Sequence, residues 1–153
     1  MKKLAFGVSD LAGSQLNYCL IKAINEYQFE NHDVDLSVFF EQPSFPVMPV
    51  MAGRFQFAEA FGYDGTTVAT SLATAHKFLS FPAIRKRFFY VWDLEWVRRP
   101  ADYFALRAIY AHPLHQLIAR SEEHAKTIEN AWNVRVSKIL PDPEVGVFLD
   151  GSN

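Results

Sequence analysis

The sequence predicts an α/β protein, a mostly parallel sheet of about six or seven strands with helices on both faces. Three observations predict it. Short apolar runs alternate with amphipathic segments along the whole chain. Some of those runs are apolar on consecutive residues, the mark of a strand covered on both faces. Many end in small polar or acidic residues and are separated by prolines, glycines and serines.

Residues 3–9, KLAFGVS, form the first such strand. Residues 14–29 form a helix: Leu16, Cys19, Leu20, Ala23, Ile24 and Tyr27 fall at helical spacing, with Ser14 as N-cap. A second strand occupies 34–40. Pro43, Pro46 and Pro49 then make 41–53 a long irregular loop. Residues 54–61 read equally as a short strand or a helical turn. A strand at 66–71 and a helix at 72–81, stopped by Pro82, follow. Next come a strand at 87–93, a helix at 99–112 with Pro100 in its first turn, and a strand within 114–121. A helix at 121–133 has Ser121 as N-cap and Glu122 and Glu123 in its first turn, and a last strand lies at 134–140. The order gives one Rossmann-like three-layer sandwich over residues 1–153.

The chain has 153 residues, half of them hydrophobic and 15% aromatic, enough for a substantial core. Net charge is −2, which excludes bulk attraction to nucleic acid. The basic stretches Arg85-Lys86-Arg87 and Arg98-Arg99 read as a local solvated edge. The lone Cys19 cannot form an internal disulfide and reads as a small buried hydrophobe, fitting a reducing, cytoplasmic setting. No apolar run approaches membrane-spanning length. Neither H-E-x-x-H nor a Cys/His metal spacing occurs, and G-x-G-x-x-G, the Walker motif and G-x-S-x-G are all missing. No metal and no cofactor is expected.

Ligands of parallel α/β sheets bind beyond the carboxyl ends of the strands. That rule picks out Ser9, Asp10, Gly13 and Ser14 after the first strand, as a ligand loop or as a tight turn with a capping serine. It picks out Thr70, Ser71 and Thr74 after the strand at 66–71, where Ser71 is also an ordinary N-cap. After the strand at 87–93 it picks out Asp93 and Glu95. A continuing strand would set both carboxylates on one side, able to accept hydrogen bonds from substrate hydroxyls or act as a base. Trp92 and Trp96 offer flat apolar faces of the kind carbohydrate sites use. The structural alternative is a core Trp92, a Trp96 that partly covers the sheet end, and solvated acids.

Three segments, TTVATSLATAHKF, FFYVWDLEW and LIARSEEHAKTIENAWNVRVSKILPDPE, resemble the amino-terminal half of retaining, two-domain glycosyltransferases of the GT-B fold. Asp93 at its strand end, Ser121 opening a helix and KILPDP at 138–143 carry the likeness, over about residues 60–143. The family's glycine pair after the first strand is reduced here to Ala12-Gly13. The resemblance implies an acceptor-binding half, with Asp93 as base or hydrogen-bond partner of the acceptor. Ser9, Asp10, Gly13, Ser71, Glu95 and Ser121 would bind substrate, and Trp96 would form a wall. The sequence ends about ten residues after KILPDP, without the donor-binding half. The partners implied are a donor-binding domain or subunit and a glycan or small-molecule acceptor; self-association as a homodimer stays open. A non-catalytic protein- or glycan-interaction module is the alternative, drawing on Phe45, Phe55, Phe57, Tyr63 and Trp96. A receiver-type domain fits less well, because Asp10 alone does not supply its acidic pair.

Overall fold

The computed structural model describes residues 1–150. Its seven strands are β1 (Lys2–Val8), β2 (Val34–Phe40), β3 (Gly53–Gln56), β4 (Thr66–Ala69), β5 (Lys86–Tyr90), β6 (His115–Ala119) and β7 (Val136–Ile139). All pair in parallel, in the order β3-β2-β1-β4-β5-β6-β7. The helices are α1 (Gln15–Glu30), α2 (Leu72–Leu79), α3 (Tyr103–Tyr110), α4 (Glu122–Trp132) and α5 (Val145–Asp150). This is a Rossmann-like three-layer sandwich.

Each sheet face has its own core, because successive strand residues point to opposite faces. On one face Leu4, Phe6, Val38, Val68, Phe88 and Ile118 meet Leu20, Ile21 and Ile24 of α1 and Val145 and Phe148 of α5. On the other, Ala5, Phe39, Ala69, Phe89, Leu117 and Ala119 meet α2, α3 and α4 through Leu72, Phe78, Leu106, Tyr110, Ile128 and Trp132. Gly7 faces this second core. A Cβ there would come within 2.6 Å of the Phe78 ring and 3.1 Å of Phe57, so only a bare backbone lets α2 lie so close to β1.

Three helices start on serines. The hydroxyls of Ser14, Ser71 and Ser121 accept from the backbone N–H groups of Asn17, Thr74 and His124. Helix α4 ends on Asn133, the one non-glycine among the described residues with positive φ.

Several sequence expectations change. The ambiguous segment 54–61 is both things: β3, then a 3-10 turn at Phe57–Gly62. The strand expected at 87–93 stops at Tyr90, although Val91 still donates to the carbonyl of Ile118. The helix expected at 99–112 is broken: Glu95–Arg98 and Pro100–Asp102 are 3-10 turns, and only Tyr103–Tyr110 is α-helical. Helix α5 was not foreseen, although Val145, Phe148 and Leu149 fall at i, i+3 and i+4. Arg87 is not part of a solvated edge. It is 5% exposed, and its guanidinium donates to the carbonyls of Phe78, Phe81 and Ile84, closing the carboxyl end of α2. Among the described residues no helix is long and apolar enough to cross a membrane.

Phe148 packs edge-on against Phe6, Phe88 and Tyr90 and has no exposed surface. Phe148→Ala should therefore lower unfolding free energy by about 3–5 kcal/mol, read from the denaturant midpoint. His115 is buried at the start of β6, with Nδ1 3.0 Å from the Ile109 carbonyl, and burial pushes its pKa down to about 4. The unfolded chain then binds the proton more readily than the fold does. Stability is full above pH 6.5 and falls as pH drops towards 4, by about 2 kcal/mol between pH 7 and pH 5. His115→Gln should flatten that part of a urea-stability profile against pH.

Candidate functional site

Strand order fixes where a ligand can enter. The chain winds from β1 to β3 on one side and from β4 to β7 on the other, so the loops leaving β1 and β4 diverge. Between them, at the carboxyl edge, lies a cleft of about 520 Å³. Nine residues picked from the sequence line it together: Ser9, Asp10, Gly13, Ser14, Thr70, Ser71, Trp92, Asp93 and Glu95.

The β1 loop is tied internally. Asp10 Oδ1 accepts from the Ala12 N–H at 2.9 Å and from Asn17 Nδ2 at 3.1 Å. Asn17 Nδ2 also donates to the Ala12 carbonyl at 2.8 Å. Asn17 is buried on an otherwise apolar helix face, and this network satisfies it. Gly13 has ordinary backbone geometry, and a Cβ built on it meets nothing within 4 Å. The residue thus presents bare backbone to the cleft.

Behind this wall, Thr70 is committed to structure. Its hydroxyl donates to the Gly7 carbonyl at 2.8 Å, and Thr74 accepts from the Thr70 and Ser71 N–H groups. Ser71 caps α2 while still lining the cleft.

The third wall follows β5. Trp92 is buried, with its ring 3.6 Å from the Arg120 guanidinium carbon and edge-on to Tyr90. Asp93, the next residue, is exposed in the cleft. Glu95 turns back: its Oε1 accepts from the Leu72 N–H at 2.9 Å, placing a carboxylate on the first turn of α2. Burial raises the Glu95 pKa; the Leu72 bond opposes the rise, and neighbouring Asp93 adds to it. Among the described residues Arg98 is the one cation lining the cleft.

Beside Asp93, the Arg120 N–H donates to His124 Nδ1 at 3.2 Å, which leaves Nε2 to carry the ring proton. Burial and then Arg120 lower the His124 pKa, against the pull of Asp93.

Two expected residues stand elsewhere. Trp96, expected as a wall, packs edge-on against Tyr110 and Trp132 in the second core. The 3-10 turn at Glu95–Arg98 rotates it inward, and Trp92 takes its place at the cleft. Ser121 caps α4 and is exposed outside the cleft lining. Sequence reasoning missed the cleft roles of Asn17 and Arg98. A lone asparagine within an apolar helical stripe was the available signal for the first; for Arg98 there was only its nearness to Glu95.

With Asp10, Asp93 and Glu95 against Arg98, the cleft suits a ligand rich in hydroxyls better than a phosphate chain. Among the described residues no three His, Cys, Asp or Glu side chains are grouped to hold a metal ion. A larger cavity, about 590 Å³, opens at the opposite edge of the sheet, away from the helix N-termini and the exposed Asp93. Comparison with protein-family models gives no match for this chain, and neither does a search of curated proteins.

Glu95→Ala should uncover the amino end of α2 and cost about 1 kcal/mol of stability. Glu95→Gln, which keeps an acceptor oxygen for Leu72, should restore most of it, as read by chemical denaturation.

Proposed function

We propose that this chain is the acceptor-binding half of a retaining glycosyltransferase of the GT-B type, acting with a donor-binding domain or subunit. One observation carries the reading: an exposed carboxylate, Asp93, stands in a carboxylate-lined cleft at the point where the strand order reverses. Fold analogy adds the rest.

In this reading the acceptor lies against bare backbone at Gly13, with hydroxyls bonded to Asp10, Ser9 and Ser71. Asp93 accepts the hydrogen bond of the reacting hydroxyl. As its oxygen bonds to the anomeric carbon, on the face from which the nucleotide departs, the bond to the nucleotide leaving group breaks and the hydroxyl proton passes to the Asp93 carboxylate. The donor phosphates belong to the other half, which accords with the shortage of cations in this cleft. Phe45 and Val97, on loops leaving the carboxyl edge, and Phe104 at the start of α3 are exposed by 97%, 67% and 85%, apolar surface that a second domain would cover. The same three side chains favour the second reading, a non-catalytic protein- or glycan-interaction module.

Thermal shift with sugar nucleotides, free nucleotides and simple glycans separates the two. A glycan at a hundred times its Kd should stabilise the wild type by about 2.7 kcal/mol. Asp93→Ala should keep the ligand-free melting temperature, because the side chain is exposed, and should lose the shift. No shift with any glycan, in either protein, would leave the interaction module as the better account.

A further inference from the structure

Beside the 3-10 turn at Phe57–Gly62 the sheet has a hollow. Ala5, Ser37 and Gly53 lie side by side across β1, β2 and β3, and three small residues on one face leave room above them. The cavity there is about 450 Å³ and shares no residue with the carboxyl-edge cleft.

Three aromatic rings line it. Phe39 and Phe55 are registered neighbours on β2 and β3, with ring centroids 5.8 Å apart, and Tyr63 stands edge-on to Phe39 at 5.5 Å. Phe39 belongs to the second core, whereas Phe55 is 40% exposed. The Phe55 ring leans back over Gly53, where a Cβ would come within 2.7 Å of it.

The charge around these rings is negative. Asp35, Glu59 and Asp64 line the cavity, and among the described residues Lys3 is the one cation in the lining. Lys3 pairs with Asp35 in the strand register, yet its Nζ reaches Asp64 Oδ1 at 2.7 Å, and Arg85 lies 3.4 Å from Oδ2. Asp64 is thus neutralised from two sides. Glu59 is used in part, because its Oε2 accepts from the Gln56 N–H at 2.8 Å. Asp35 is half-buried and has no ion-pair partner among the described residues. It stands close enough to Tyr63 to add to burial in raising the pKa of that phenol.

Ser37 is an independent sign of a ligand. It is 5% exposed and lines the cavity, and its hydroxyl has no hydrogen-bond partner among the described residues. A hydroxyl so placed is ordinarily bonded. The rings then select the kind of cation. No three His, Cys, Asp or Glu side chains among the described residues are grouped to hold a metal ion. Aromatic faces favour organic cations, and an alkylated ammonium sheds water more readily than a bare one.

We infer that this cavity binds a small organic cation, an alkylated ammonium with a hydrogen-bonding group near the charge. Phe39, Phe55 and Tyr63 hold the alkyl groups, Asp35 supplies the counter-charge, and Ser37 bonds the polar group. The site does not depend on the glycosyltransferase reading.

Isothermal titration with choline, tetramethylammonium and dimethylbutanol, the uncharged carbon isostere of choline, tests it. Moderate salt screens diffuse attraction. The wild type should bind one equivalent of choline, and the isostere about tenfold more weakly or worse. Asp35→Asn should weaken choline about tenfold, and Phe55→Leu, which keeps apolar bulk but removes the ring, should weaken it too. Ser37→Ala should weaken choline and leave tetramethylammonium unchanged. Glu122→Gln, at an exposed carboxylate on α4, should bind as the wild type does. Absence of saturable binding, equal affinity for the uncharged isostere, or an equal loss in Glu122→Gln would overturn the inference.

Discussion

The pairing of β1 with β4, from Leu4 against Thr66 to Gly7 against Ala69, sets the position of everything at the carboxyl edge. The two halves of the sheet wind away from that seam, so the β1 and β4 loops part instead of covering each other. The seam tolerates little change. Gly7 sits in it against Phe78 and Phe57, and Thr70 ties the end of β4 to the Gly7 carbonyl. A shift of either strand would move Ser9, Asp10 and Ser71 relative to Asp93, and the cleft would lose its shape before it lost its residues.

The same seam explains why much of the carboxyl edge was legible. A parallel strand is announced by continuous apolarity and a helix start by a capping serine, and both signals are local. Ser14, Ser71 and Ser121 all cap as their sequence context implies. With the strand ends known, Asp10, Ser71 and Asp93 follow. What was not legible depends on the path of the chain after a strand ends. A continuing β5 would have carried Glu95 along the Asp93 side. The chain instead turns into 3-10 geometry, which sends Trp96 into the aromatic cluster with Tyr110 and Trp132 and brings Glu95 onto α2. Arg87 misled for a similar reason: its basic neighbours suggested water, while three carbonyls ending α2 and its following turn were waiting for donors.

The two edges of the sheet divide the charged residues between them. Carboxylates gather where the helices begin, around Asp10, Asp93 and Glu95; lysines and Arg85 gather where strands β1 and β5 begin. Composition alone hides this, because the totals nearly cancel. The separation follows from chain direction, since in a wholly parallel sheet every strand enters at one edge and leaves at the other.

The outermost strands have a consequence for behaviour at high concentration. β3 and β7 have four residues each, and β7 joins β6 through an irregular register. Arg54 lies in one and Lys138 in the other, both exposed. A second molecule trying to extend the sheet would meet a short, charged rim with few hydrogen bonds to offer, and joining β3 to β7 would bring cation towards cation. The open sheet therefore resists growing into a polymer, a safeguard that closed barrels obtain by having no rim at all.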